Sequence, residues 1–271
     1  MKTYLLFLVI LLLMLAGCAN PPSTPDSALP TATAVMAETV APAAAATPTT
    51  APAVSTDAPA PEPTATIAPM AATPLDQQLA AQFNAPVTAA GEVILATGRV
   101  LDRAGNPLGG VAVEFWQTDS TGVYDHPGDA GTANRDRGFQ FYGTATTDGD
   151  GRYLFRTVQP GYYEPRPRHI HIKVKQDGTT LLTTQFYFEE DRSSLTGEGV
   201  FAQAGNQGDL LIFTTLETVT LNGTAVDVLT NDLVIDTGTA GTLPVTPAQA
   251  EGPYYPVAAV AAFDNDLAAV P

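Results

Sequence analysis

From Glu92 onward the apolar positions fall in short runs broken by Gly, Asp and Asn. VILATGRVLD (93–102) and VAVEFWQTD (111–119) have the β-branched and aromatic content of strands, and Arg103-Ala-Gly-Asn-Pro107 between them is a turn. TTDGDGRYLFRTV (146–158) places a tight Asp-Gly-Asp-Gly turn before another strand, which Pro160-Gly161 ends. HIHIKVKQ (169–176), TTLLTTQFYFE (179–189) and DLLIFTTLE (209–217) continue the series, and residues 208–236 would complete the sheets. No stretch of this region carries a helical period of useful length. Strands this short at this spacing predict an all-β domain: a β-sandwich or barrel of mostly antiparallel strands.

The pattern before Glu92 is different. Residues 1–17 are a lysine followed by an apolar run and small residues, the form of a secretory leader and too short for a good membrane span. The chain's one cysteine, Cys18, follows Leu-Ala-Gly and resembles the lipobox of bacterial lipoproteins. That resemblance implies cleavage before Cys18, a lipid on its thiol and an extracytoplasmic, membrane- or surface-anchored protein. Residues 18–76 are dominated by Ala, Pro and Thr, and no lysine or arginine occurs between Lys2 and Arg99. Too few large apolar side chains are present to offset ordering entropy, so the segment is expected to be a disordered, partly polyproline tether ahead of a domain spanning 77–271.

Charge narrows the partners. With 12 basic and 28 acidic residues the formal net charge is -16, which excludes nucleic acid and leaves the lipid on Cys18 as the only membrane contact expected. A single cysteine also excludes an internal disulfide.

Candidate chemistry concentrates in GYYEPRPRHIHI (161–172), which holds two of the chain's three histidines. Successive strand side chains point to opposite faces, so His169 and His171 project together with Ile170 opposed. Two imidazoles are half a metal site, and the nearby tyrosines are hard anionic donors suited to a highly charged ion such as Fe(III). The pair could equally decorate an exposed strand face.

The segments VEFWQTDSTGVYDHPGD (113–129), TTDGDGRYLFRTVQPGYYEPRPRHIHIKV (146–174) and TTQFYF (183–188) resemble the intradiol ring-cleavage dioxygenases, relatives of protocatechuate 3,4-dioxygenase and catechol 1,2-dioxygenase. The resemblance implies non-haem Fe(III) held by Tyr124, Tyr163, His169 and His171, with Tyr163 rather than Tyr162 as the releasable ligand. It further implies Arg166 stabilising negative charge on the substrate ring, Gln185 in the pocket, and cleavage of a catechol-type diol by O2 to a muconate-type dicarboxylate. Relatives commonly assemble, so a homo-oligomer is compatible with it. The strand pattern T-D-x-D-G-x-Y-x-F before Pro-Gly also resembles transthyretin (prealbumin)-like and adhesin modules. A non-catalytic adhesion or carbohydrate-binding module is therefore the alternative.

One departure stands out. The family's opening segment, of the form E-G-P-Y-Y-P followed by D-N-D-L, is absent before the first strand and is found instead in TPAQAEGPYYPVAAVAAFDNDLAAV (246–270). This displacement suggests a circular permutation, with Tyr254 or Tyr255 facing substrate and the tail packed either in cis or on a neighbouring subunit.

Overall fold

The computed structural model describes residues 81–270; the expected leader, Cys18 and the tether lie outside the described residues. Nine strands follow in order: β1 (Val93–Asp102), β2 (Ala112–Trp116), β3 (Tyr142–Thr146), β4 (Arg152–Val158), β5 (His169–Gln176), β6 (Thr179–Phe188), β7 (Ile212–Leu221), β8 (Thr224–Thr230) and β9 (Leu233–Ile235). Beyond Ala81 and Gln82 at the start of the described residues, the helical content there is one α-helical turn, α1 (Arg192–Leu195), and a few 3-10 turns. The all-β reading holds. β5 occupies the span of HIHIKVKQ, whereas the run from Asp209 begins pairing only at Ile212 because Phe201–Leu211 is wound into 3-10 turns. β3, YGTAT, is a strand without an apolar run, and its inward positions are the small residues Gly143 and Ala145.

The strands form one ladder in the order β3-β2-β5-β6-β7-β8-β1-β4, with β9 beside β1. Its middle is thin: β6 and β7 meet in parallel over only Tyr187↔Ile212 and Phe188↔Phe213. The four strands on either side of that join fold toward each other, and Phe115 of β2 stacks on Phe155 of β4 at 3.8 Å between ring centroids. Around this pair Val113, Ile170, Ile172, Val174 and Phe186 are fully buried, as alternation along β2, β5 and β6 requires.

β5 is buried on both faces: His169, His171 and Lys173, opposite the core row, are nearly as hidden as the isoleucines. Something must cover that second face. The cover is the C-terminal segment, which runs from residue 236 to 270 without a strand. Its Gln249 N–H donates to Thr183 O at 2.9 Å, and Gln185 Nε2 donates to Ala250 O at 2.7 Å. Further on, the segment bonds to the two outermost strands at once. Thr144 of β3 donates to Phe263 O, while on β4 Arg156 N–H donates to Asn265 O and Arg156 O accepts from Leu267 N–H. The tail is thus the seam of a nearly closed ladder, and it packs on its own chain.

Arg156 fastens that seam. Its guanidinium is fully buried, and Nε donates to Asp266 Oδ1 at 2.7 Å while Nη2 donates to Ala85 O at 2.9 Å. Ala268 O accepts from the N–H groups of Thr88 and Ala89, so the end of the seam lies against the segment that leads into β1.

Candidate metal centre

β5 places His169 and His171 on its outer face, opposite Tyr187 and Gln185 of β6 and beside Trp116 of β2. Their Nε2 atoms lie 3.2 Å apart. His169 Nδ1 is 2.7 Å from Pro167 O, and since a carbonyl only accepts, the proton belongs on Nδ1 and the Nε2 lone pair faces the cluster. His171 is oriented differently: its Nδ1 is buried without a hydrogen-bond partner, and its ring lies flat on Trp116 at 4.7 Å and 8°.

The phenols come from two loops. Tyr124 is buried, with Oη 3.4 Å from His169 Nε2, and its own N–H donates to Asp129 Oδ2 at 2.7 Å. Tyr163 presents its ring edge-on to Tyr124 at 5.7 Å, and its Oη is 2.9 Å from Tyr254 Oη. Neighbouring Tyr162 points elsewhere: it is half exposed, and its hydroxyl donates to Asp191 at 2.6 Å. Of the adjacent tyrosines, only Tyr163 is seen to join the cluster.

Arg166 borders the same point. Its Nη1 is 3.3 Å from His169 Nε2, Nη2 donates to Gln185 Oε1 and Tyr187 Oη, and Nε donates to Glu198. Burial, and secondarily the Arg166 cation, lower the His169 pKa to about 4. Burial also holds His171 well below the usual histidine value, with His169 and Arg166 adding to the effect. Burial pushes the Tyr124 hydroxyl up, against the pull of Arg166. The protein alone therefore keeps the imidazoles neutral, as metal ligation needs, and leaves the phenol protonated until a cation is present to stabilise the phenolate.

The donor set fits a hard trivalent ion. Among the described residues no three His, Cys, Asp or Glu side chains cluster, and the oxygen donor nearest His169 Nε2 is the Tyr124 phenol. Two nitrogens bound to one ion at right angles, each at about 2.1 Å, would lie about 3 Å apart, close to the spacing found here.

A family model described as Dioxygenase matches residues 66–237. The chain belongs to the intradiol dioxygenase family. It is similar to the protocatechuate 3,4-dioxygenase beta chain of Burkholderia cepacia, with 40% identity over 44% of this chain and 54% of that one. It is also similar to the hydroxyquinol 1,2-dioxygenase of Rhizobium sp. (strain MTP-10005), with 33% identity over 41% of this chain and 42% of the other. The chain thus spans about half the length of the curated relatives it matches. A solved dioxygenase domain from a dioxygenase–carbohydrate-binding fusion of Streptomyces sp. SirexAA-E is 32% identical, covering 55% of this chain and 82% of that one at a TM-score of 0.40. A superposition that loose adds nothing to the sequence likeness.

For this family member the remaining expected residues divide. Gln185 is fully buried and immobilised, accepting from Arg166 and donating to Ala250 O. Tyr254 reaches the cluster: its ring is 4.9 Å from Tyr124, and the hydrogen bond to Tyr163, with burial second, pushes its pKa up to about 12. Tyr255 does not. Its hydroxyl donates to Glu114 at 2.8 Å and accepts from Lys175, while Lys173 Nζ sits 3.5 Å above its ring centroid. Reading along the sequence misses Tyr187, although it stands two residues from Gln185 on the same face of β6 and bonds Arg166, Gln185 and Gln249. Alternation along β6 was the signal for it. Trp116, beneath His171, was legible in the same way from β2.

Proposed function

We propose that this dioxygenase uses Fe(III), held by Tyr124, Tyr163, His169 and His171, to cleave a catechol-type diol between its two hydroxylated carbons with O2, giving a muconate-type dicarboxylate. The observation that carries this is the meeting of the Tyr124 phenol and two neutral imidazoles at one buried point, with the half-buried Tyr163 packed edge-on against Tyr124. When bound, ferric ion would supply the Lewis acidity that makes the substrate hydroxyls acidic and the ring reactive toward dioxygen.

The chain's own residues do the rest. Tyr163, one of the residues that would hold the ion, would serve as the base for one substrate proton, and the Tyr254 hydroxyl 2.9 Å away is a ready hydrogen-bond partner for its phenol. Arg166, fixed by Glu198 and Gln185, keeps a positive charge beside the position where the ring becomes negative. Gln185 serves as a rigid pocket wall because both ends of its amide are engaged. The covering tail excludes water from His171, Trp116 and Gln185, which are all buried beneath it. The family match gives no support to a non-catalytic adhesion or carbohydrate-binding module.

Four further readings belong with this proposal. The sandwich is of the transthyretin type, a reading supported by the facing of β2 and β4. The tail is a circularly permuted opening segment, supported by the bonds from Thr88 and Ala89 to Ala268 O. The protein is exported and tethered by a lipid on Cys18. It assembles into homo-oligomers as its relatives commonly do.

The test is ferric reconstitution of the full chain, followed by oxygen uptake with catechol, protocatechuate and hydroxyquinol. A tyrosinate-to-iron absorption band in the visible and a ring-opened dicarboxylate are expected. Colourless protein, or colour without oxygen uptake on any diol, would overturn the assignment.

A further inference from the structure

Asp119 lies five residues before Tyr124, touches no member of the cluster, and is fully buried. Its carboxylate is saturated. Oδ1 accepts from Thr121 N–H at 2.8 Å, Thr121 Oγ1 at 2.7 Å and Val123 N–H at 3.2 Å, and Oδ2 accepts from Asp136 N–H at 2.9 Å. These bonds fold residues 119–123 into the turn that delivers Tyr124 and tie it to the loop's far end at Asp136. The backbone of the same residue reaches the other phenol: Asp119 O accepts from Gly161 N–H at 2.8 Å, two residues before Tyr163.

The two loops meet backbone to backbone at this place. A side chain on Gly122, whose φ is +89°, would stand 2.0 Å from Tyr162 O, and one on Gly161 would stand 2.3 Å from Gly122 N. Thr118 Oγ1 donates to Gly161 O at 3.3 Å, adding a second strut. The separation of the two phenols is therefore set where the loops touch, and Asp119 bonds to both.

We propose that Asp119 is a positioning residue of the metal centre, its carboxylate shaping the Tyr124 turn and its carbonyl fixing the Tyr163 turn so that both phenols hold one spacing. Its functional meaning rests on the ferric reading above, but the coupling of the loops does not. Removing the carboxylate frees the N–H groups of Thr121, Val123 and Asp136, and the turn that aims the Asp119 carbonyl at Gly161 loosens with them. The Asn variant keeps an oxygen for Thr121 and Val123 and turns an NH2 toward Asp136 N–H, so it loses less.

The experiment uses full-length Asp119→Ala and Asp119→Asn, with Asp232→Ala, whose carboxylate bonds exposed Arg99, as control. Without metal, amide hydrogen exchange is followed in residues 120–124 and 161–163. Both stretches should quicken together in Asp119→Ala, by about tenfold or more, less in Asp119→Asn, and not in the control. Ferric titration should then show a shifted tyrosinate band and a Kd raised about 10- to 100-fold in Asp119→Ala. Faster exchange in 120–124 alone would overturn the proposal. So would a lowered thermal midpoint with band and Kd unchanged, which marks a purely structural role. If Asp119→Ala does not fold, Asp119→Asn carries both readouts. Wild-type protein that takes up no ferric ion would sink the dioxygenase reading, and exchange alone would then decide the coupling.

Discussion

The histidine half and the tyrosine half of the candidate site are built by different means. His169 and His171 are spaced by the two-residue period of β5, and β2 and β6 hold that strand on both sides. Tyr124 and Tyr163 sit on separate loops whose approach depends on two glycines, one buried carboxylate and a covering tail. A strand fixes the direction of its side chains through a ladder of backbone bonds, so no single side chain is essential to its aim. A loop has no ladder, and its aim is shared among a few bonds that can each be lost.

The largest effect is expected at a proposed ligand. His171→Ala should leave the strand intact yet cost more than the roughly 100-fold typical of outer-shell changes, read as ferric Kd and as kcat/KM. Retained binding with unchanged colour would mean that the strand half is not a ligand half. Next in size is the seam. Asp266→Ala leaves Arg156 buried and unpaired, and urea unfolding should show a loss of about 3–5 kcal/mol. A loss below about 1 kcal/mol would mean that the carbonyls of Phe83 and Ala85 satisfy the guanidinium by themselves.

Tyr254→Phe sharpens the contrast within the loop half. Loss of one hydroxyl partner for Tyr163, a bond of about 0.5–1.5 kcal/mol, should lower kcat roughly 2- to 10-fold with little change in ferric Kd. An equal rise in KM with kcat unchanged would instead place Tyr254 in substrate binding. The smallest effect belongs to Tyr255→Phe. Its hydroxyl serves Glu114 and Lys175, so the variant should lose about 1 kcal/mol of stability and keep its visible band and kcat/KM within about twofold.

What the sequence made legible follows the same division. Strand alternation in HIHIKVKQ led directly to a pair of converging imidazoles, because that inference needs only local geometry. The choice of Tyr163 over Tyr162 came from the family pattern, since nothing local says which of two adjacent tyrosines faces inward. β3 is hard to read because its buried positions are Gly143 and Ala145, which carry little hydrophobic signal; a side chain on Gly143 would meet Asp264 O of the tail. The sequence offers Tyr254 or Tyr255 to the substrate, and Tyr255 is held by Glu114 and by two lysines on the strand that also bears the histidines. Such a competition is between side chains far apart in sequence, and no window along the chain displays it.

A bracelet whose clasp is irregular coil fails in a characteristic way. If residues 260–268 peel off, the N–H and C=O groups of β3 and of β4 that now face the tail become available together, on two neighbouring margins of one molecule. Open strand margins recruit other open margins. Mild damage to this protein should therefore show itself as self-adhesion between molecules well before its inner packing gives way.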